Sequence, residues 1–76
     1  MQIEEMKVGR VLVVIPRENR IDAAVSTEFK GRMIDRIREG NTLILLNLSD
    51  VDFVDSSGLS VMVSLLKTLG AEGGLA

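Results

Sequence analysis

One corner of this chain has residue types and spacing suited to chemistry: Asp55, Ser56 and Ser57, followed by Gly58 and Leu59. It closes an apolar, strand-like stretch and opens a helix-like one. A helix start presents backbone N–H groups without intrahelical acceptors and the positive end of the helix macrodipole, so it favours an anion such as phosphate. A serine placed there has two roles open to it. It can cap the helix by accepting a backbone N–H bond, or it can accept a phosphoryl group and become a charge switch. Of the two serines, Ser57 is the expected cap.

Catalysis by the corner itself is disfavoured. A nucleophilic serine needs a base within hydrogen-bond reach, usually histidine, and the chain has no His. The surrounding pattern is not Gly-x-Ser-x-Gly, and no phosphate-cradling Gly-x-x-x-x-Gly-Lys-Ser/Thr run occurs. Asp50, Asp52 and Asp55 are close enough in sequence to suggest a metal site, but turn and cap roles account for them better. With no Cys either, disulfides, thiolate chemistry and the usual zinc ligands are absent. The expectation is a protein without catalytic residues, bound metal or cofactor.

The elements that must position this corner follow from hydropathy. Residues 2–7 and 11–15 read as a hairpin turning at Val8-Gly9-Arg10, with Pro16 ending the β-branched second strand. Residues 16–20 are polar and loop-like. Asp22 is placed to cap a helix in which Val25, Phe29, Met33 and Ile37 recur every four residues, with Ile34 beside them. Gly40-Asn41 stops it. Residues 42–48 (TLILLNL) are almost continuously apolar, which predicts a central strand covered on both faces. A short element at 51–54 leads to the corner. The helix after it carries Leu59, Met62, Val63, Leu66 and Leu69 as its expected apolar face, widened by Val61 and Leu65, and stops at Gly70. Residues 71–76 have no periodicity. Arg32, Arg36 and Arg38 beside Asp35 and Glu39 read as a solvated helix face with local ion pairs.

The resulting order is β-β-α-β-α: one small α/β domain over residues 1–76, a mixed sheet packed by helices through a right-handed crossover. So short a sheet leaves an edge uncovered, and a homodimer through that edge, strand swapping or a missing C-terminal piece is expected. The core must be aliphatic, since Phe29 and Phe53 are the chain's two aromatic residues. A length of 76 residues, 46% of them hydrophobic and 26% charged, fits a small globular domain. A net charge of −2 argues against nucleic acid. The longest apolar runs are too short to cross a membrane, and Glu4 and Glu5 sit where a secretory leader would be basic. A cytoplasmic address follows by elimination.

The block from Leu46 to Ser60 (LNLSDVDFVDSSGLS), followed by a long aliphatic helix, resembles the STAS domain of bacterial anti-sigma factor antagonists. The upstream order agrees, with Arg20-Ile21-Asp22-Ala23 opening a helix before a hydrophobic strand. The resemblance covers nearly the whole chain. It implies that Ser56, the first serine of the block, is phosphorylated by a partner serine kinase that is also the anti-sigma factor. The unphosphorylated protein would bind that kinase and free the sigma factor, and a phosphatase would reset it. Asp22, Asp55, Ser56, Ser57, Gly58 and Leu59 are the expected partner-binding set, and Arg20 lies in the same region. Glu18-Asn19-Arg20 departs from the Gly-acidic pair usual in that loop, and members of the family normally continue past the Gly73-Gly74 pair with another strand and a further helix. The rival expectations are a STAS scaffold or oligomer subunit, or a module attached to a membrane transport system, in which Ser56 is only a helix cap.

Overall fold

The computed structural model describes residues 1–70 and 73–76. Strands β1 (Ile3–Val8) and β2 (Val11–Pro16) form the expected antiparallel hairpin, with Val8 opposite Val11 across the Gly9-Arg10 turn. A two-residue strand, β3 (Arg20–Ile21), precedes helix α1 (Ala23–Arg38). Strand β4 (Leu43–Leu46), a second two-residue strand β5 (Phe53–Val54), helix α2 (Ser56–Leu69) and strand β6 (Gly74–Leu75) complete the order. The main sheet runs β1-β2-β4-β6, with β4 parallel to both of its neighbours. Strands β3 and β5 pair in parallel as a separate ribbon.

α1 forms where the four-residue spacing places it. Asp22 accepts the Val25 N–H at 3.1 Å, capping the first turn. Phe29 and Met33 are buried in the core, with Ile34 and Ile37 packed at its margin. Past Glu39 the chain turns through Gly40 at φ 103°, a left-handed conformation that only glycine adopts freely. Arg36 pairs locally with Glu39 at 2.7 Å and also reaches Glu5 of β1 at 2.8 Å, so part of the charged face ties helix to sheet.

Three expectations change. The stretch after Pro16 is not all loop, because Arg20 and Ile21 pair with Phe53 and Val54. Two residues are too few to carry a period, which is why β3 is invisible in the pattern. The segment after Gly70 is not structureless. Ala71 and Glu72 lie outside the described residues, but Gly74 and Leu75 pair with Leu43 and Ile44. Lastly, β4 is covered on one face only. Ile44 is buried, whereas Leu45 is 42% exposed. The sheet order explains this, because β2, β4 and β6 succeed one another in one direction, and two right-handed crossovers then place both helices on the same side. Leu12, Val14 and Ile44 face those helices, and Met6, Val8 and Leu45 stand out on the open side.

The burial of α2 also differs. Gly58, Val61, Leu65 and Leu69 face inward, while Leu59, Val63 and Leu66 are exposed. Apolar residues surround this helix, so periodicity defines two candidate stripes and tertiary packing selects one. No helix among the described residues is long and apolar enough to cross a membrane.

Candidate functional site

The β3–β5 ribbon delivers both helices to one end of the molecule. Arg20 pairs with Phe53 and Ile21 with Val54; the next residue on each strand is an aspartate. Asp22 and Asp55 both adopt extended backbone (φ −97°, ψ −171° and φ −86°, ψ −176°) and both are helix N-caps. The ribbon is closed by the Asp52 and Phe53 N–H groups donating to the Asn19 carbonyl (2.7 and 3.2 Å) and by Asp55 N–H donating to the Ile21 carbonyl (3.2 Å). Two helix N-termini therefore open side by side, each sealed by a carboxylate.

At the head of α2 the Asp55 carboxylate accepts the Gly58 N–H at 3.1 Å, and its carbonyl accepts the Leu59 N–H at 3.1 Å. The capping role expected of Ser57 thus belongs to Asp55. The reason is tertiary. Asp55 is the last residue held extended by the ribbon, so it alone has the non-helical backbone a cap requires, and both serines are already inside the helix. Ser56 occupies the first helical position and is exposed; Ser57 is half-buried. No described residue hydrogen-bonds either hydroxyl. With the Gly58 N–H taken by the cap, the Ser56 and Ser57 N–H groups are the open donors of this terminus.

The expected partner-binding residues separate by accessibility. Ser56 and Leu59 are exposed, Leu59 by 58%. The Asp22 and Asp55 carboxylates are engaged as caps. Gly58 is buried against the ribbon, where a Cβ would stand 2.5 Å from Val54 Cγ1, 3.1 Å from Ile21 Cγ2 and 3.2 Å from the Ile21 carbonyl oxygen. Sequence reasoning missed the outward stripe of α2. Leu59, Val63 (51% exposed) and Leu66 (48%) run from the Ser56 corner along one side of the helix. The available signal was that α2 has more apolar positions than one face can bury. It also left out Phe53, half-exposed, with the Arg20 guanidinium 5.0 Å above its ring.

The acidic residues near the corner do not converge on a metal. Asp50 is bound by Arg17 at 2.8 Å, and Arg17 also holds Glu4 at 2.8 Å. This pairing anchors the loop before β5 to the hairpin and lowers the Glu4 carboxyl below its ordinary pKa, through the hydrogen bond first and then the charge of Arg17. Among the described residues no group of three metal-ligating side chains is assembled.

No curated protein matches the chain by sequence. Solved structures match its fold. An anti-sigma factor antagonist from Mycobacterium paratuberculosis superposes with TM-score 0.86 at 22% identity, over 97% of this chain and 62% of that one. The anti-sigma factor antagonist SpoIIAA in its unphosphorylated form gives 0.79 at 22% identity, over 97% and 69% of the two chains. The phosphorylated form of the Bacillus cell fate determinant SpoIIAA gives 0.74 at 22% identity, over 97% and 68%. The chain thus spans somewhat under two thirds of the first of these relatives. The STAS domain model matches residues 2–75, and the ribbon, the paired helix starts and the Asp-Ser-Ser-Gly-Leu corner described above lie inside that match. This chain belongs to the STAS domain family.

Proposed function

We propose that this chain is a non-enzymatic anti-sigma factor antagonist that binds a serine-kinase anti-sigma factor through the head of α2 and is switched by phosphorylation of Ser56. The observation that carries this reading is the free, exposed Ser56 hydroxyl at a helix start already capped by Asp55, followed by the outward apolar stripe of Leu59, Val63 and Leu66. A serine relieved of the capping role has no local structural task, which counts against the rival scaffold or transporter-attached module in which Ser56 is only a cap. The occurrence of SpoIIAA, a protein of the same fold, in phosphorylated and unphosphorylated forms supports the same reading.

The chemistry asked of this chain is that of an acceptor. The partner's base takes the Ser56 hydroxyl proton, the oxygen attacks the γ-phosphorus of ATP, and ADP leaves; a phosphatase later hydrolyses the ester to restore the hydroxyl. The phosphate adds about −1.5 to −2 of charge at a helix N-terminus, whose dipole and open N–H groups accommodate it without unfolding the domain. Beside Asp55 that charge resists desolvation. A partner surface shaped for a neutral hydroxyl and Leu59 then loses affinity. A coupling of about 1–3 kcal/mol, roughly 5- to 150-fold, is enough for a switch. The protein would act in the cytoplasm, with its partner rather than with nucleic acid or membrane.

The test is the intact mass of the protein isolated from its own host, with fragment localisation, joined to partner-binding assays of two variants. A species heavier by one phosphoryl group at Ser56 is expected, with Ser56→Ala binding constitutively and Ser56→Asp binding at least fivefold more weakly. An unmodified Ser56 at every growth stage, with both variants binding like wild type, would leave the scaffold reading in its place.

A further inference from the structure

The corner contains one residue whose identity helix propensity opposes. Gly58 lies in the first turn of α2 with ordinary helical backbone, where alanine is the better helix former. Its surroundings explain it. A Cβ would meet Val54 Cγ1 at 2.5 Å, Ile21 Cγ2 at 3.1 Å and the Ile21 carbonyl oxygen at 3.2 Å. Neither neighbour can give way easily. Val54 and Ile21 are β-branched and stiff at χ1, and Ile21 is fully buried. The Ile21 carbonyl is also held as the acceptor of the Asp55 N–H. Gly31, in the middle of α1, shows the opposite situation, with nothing within 4 Å of an added Cβ.

We infer that Gly58 is the positioning residue of the phosphoacceptor: the missing side chain lets the first turn of α2 rest directly on Ile21 and Val54, and that seat sets where the Ser56 hydroxyl stands. This rests on the reading of Ser56 as acceptor. Bringing a Cβ from 2.5 Å to an ordinary carbon contact of about 3.5 Å requires a displacement of about 1 Å at Val54. Because the Asp55 carboxylate is bonded to the Gly58 N–H, lifting the turn also strains the cap that flanks Ser56. A misplacement of about 1 Å at a reacting group can cost on the order of 100-fold in rate. Gly58 is buried, so this role requires no contact between it and a partner.

The test uses wild type, Gly58→Ala, Val54→Ala, the Val54→Ala/Gly58→Ala double variant and Gly31→Ala as a control, each expressed in the host in place of the natural chain. Amide hydrogen exchange at Gly58 and Leu59, whose N–H groups are both held by Asp55, reads the seat. Phosphoryl occupancy at Ser56, by intact mass with fragment localisation, reads its consequence. Gly58→Ala is expected to speed exchange and lower occupancy by roughly tenfold or more. Val54→Ala/Gly58→Ala should restore both to within a few-fold of Val54→Ala, because the closest obstruction is gone, and Gly31→Ala should match wild type. If Gly58→Ala does not fold, recovery of fold and occupancy in the double variant supports the inference in the same way. A double variant as impaired as Gly58→Ala, or a Gly58→Ala protein that matches wild type in both measurements, overturns it. Should wild type carry no phosphoryl group while exchange follows the expected pattern, the seat stands and the reading of Ser56 as acceptor falls.

Discussion

Replacing Asp55 by alanine removes the carboxylate that accepts the Gly58 N–H at 3.1 Å. Loss of an N-cap aspartate costs about 1 kcal/mol, within a range of roughly 0.5–2. The upper half of that range applies here for two reasons. Gly58 is buried and its bond to Asp55 is partly shielded, so water replaces the lost acceptor only in part. The carboxylate also sits at the positive end of the α2 dipole. A cost of about 1.5–2 kcal/mol lowers the melting temperature of a domain this small by roughly 6–16 °C. Asp55→Asn, which keeps an acceptor in the same place, should lose only a small part of that. Ser56→Ala and Ser57→Ala should stay within about 0.5 kcal/mol of wild type, because neither hydroxyl is engaged. The assay is paired thermal and urea unfolding followed by far-ultraviolet circular dichroism, with unchanged urea slopes as the check that one two-state transition is being compared. A Ser56→Ala or Ser57→Ala loss as large as that of Asp55→Ala would refute the assignment of the cap, and with it the argument that Ser56 is free for a switch.

Other consequences follow from the same geometry. Ser26 is 2% exposed and its hydroxyl has no partner, so Ser26→Ala should stabilise the fold by about 0.5–1.5 kcal/mol; a destabilisation in urea titrations would show that the hydroxyl is satisfied in solution. The Glu4 and Glu28 carboxyls have folded pKa values below their ordinary ones, Glu4 through its hydrogen bond to Arg17 and Glu28 through its hydrogen bond to the N-terminal ammonium. Their contribution to stability is present above the ordinary carboxylate pKa and is lost as the pH falls through the lowered values. Melting temperature should therefore decline below about pH 4.5, less steeply in Arg17→Ala, and an unchanged slope in that variant would dissociate Glu4 from the effect.

Much of the site is legible in the sequence. The Asp22 cap, the α1 core positions Phe29 and Met33 and the glycine-marked hairpin all depend on neighbours within one or two turns of chain, and local pattern reports them directly. The Asp-Ser-Ser-Gly-Leu corner was recognisable for the same reason. Residue type does not single out Asp55 over Ser57 as the cap, because three adjacent residues, Asp55, Ser56 and Ser57, are all good capping types. The choice among them depends on where the extended backbone ends, and a hydrogen bond from Asp55 to Ile21, 34 positions earlier, sets that point.

The sequence by itself determined where α1 starts and where both helices stop, the hairpin, the mostly aliphatic character of the core and the serine-bearing corner, because each is encoded in residue type and short-range spacing. Tertiary structure alone decided which side of α2 is buried, that β4 is covered on one face, and that Gly58 is a point of contact rather than a point of flexibility. Those outcomes depend on pairings between distant segments: two short strands that bring the helix starts together, and a strand order that sends both helices to the same side of the sheet. Hydrophobicity is non-directional and can say that α2 will bury a face, but only the shape of the surface it meets says which one.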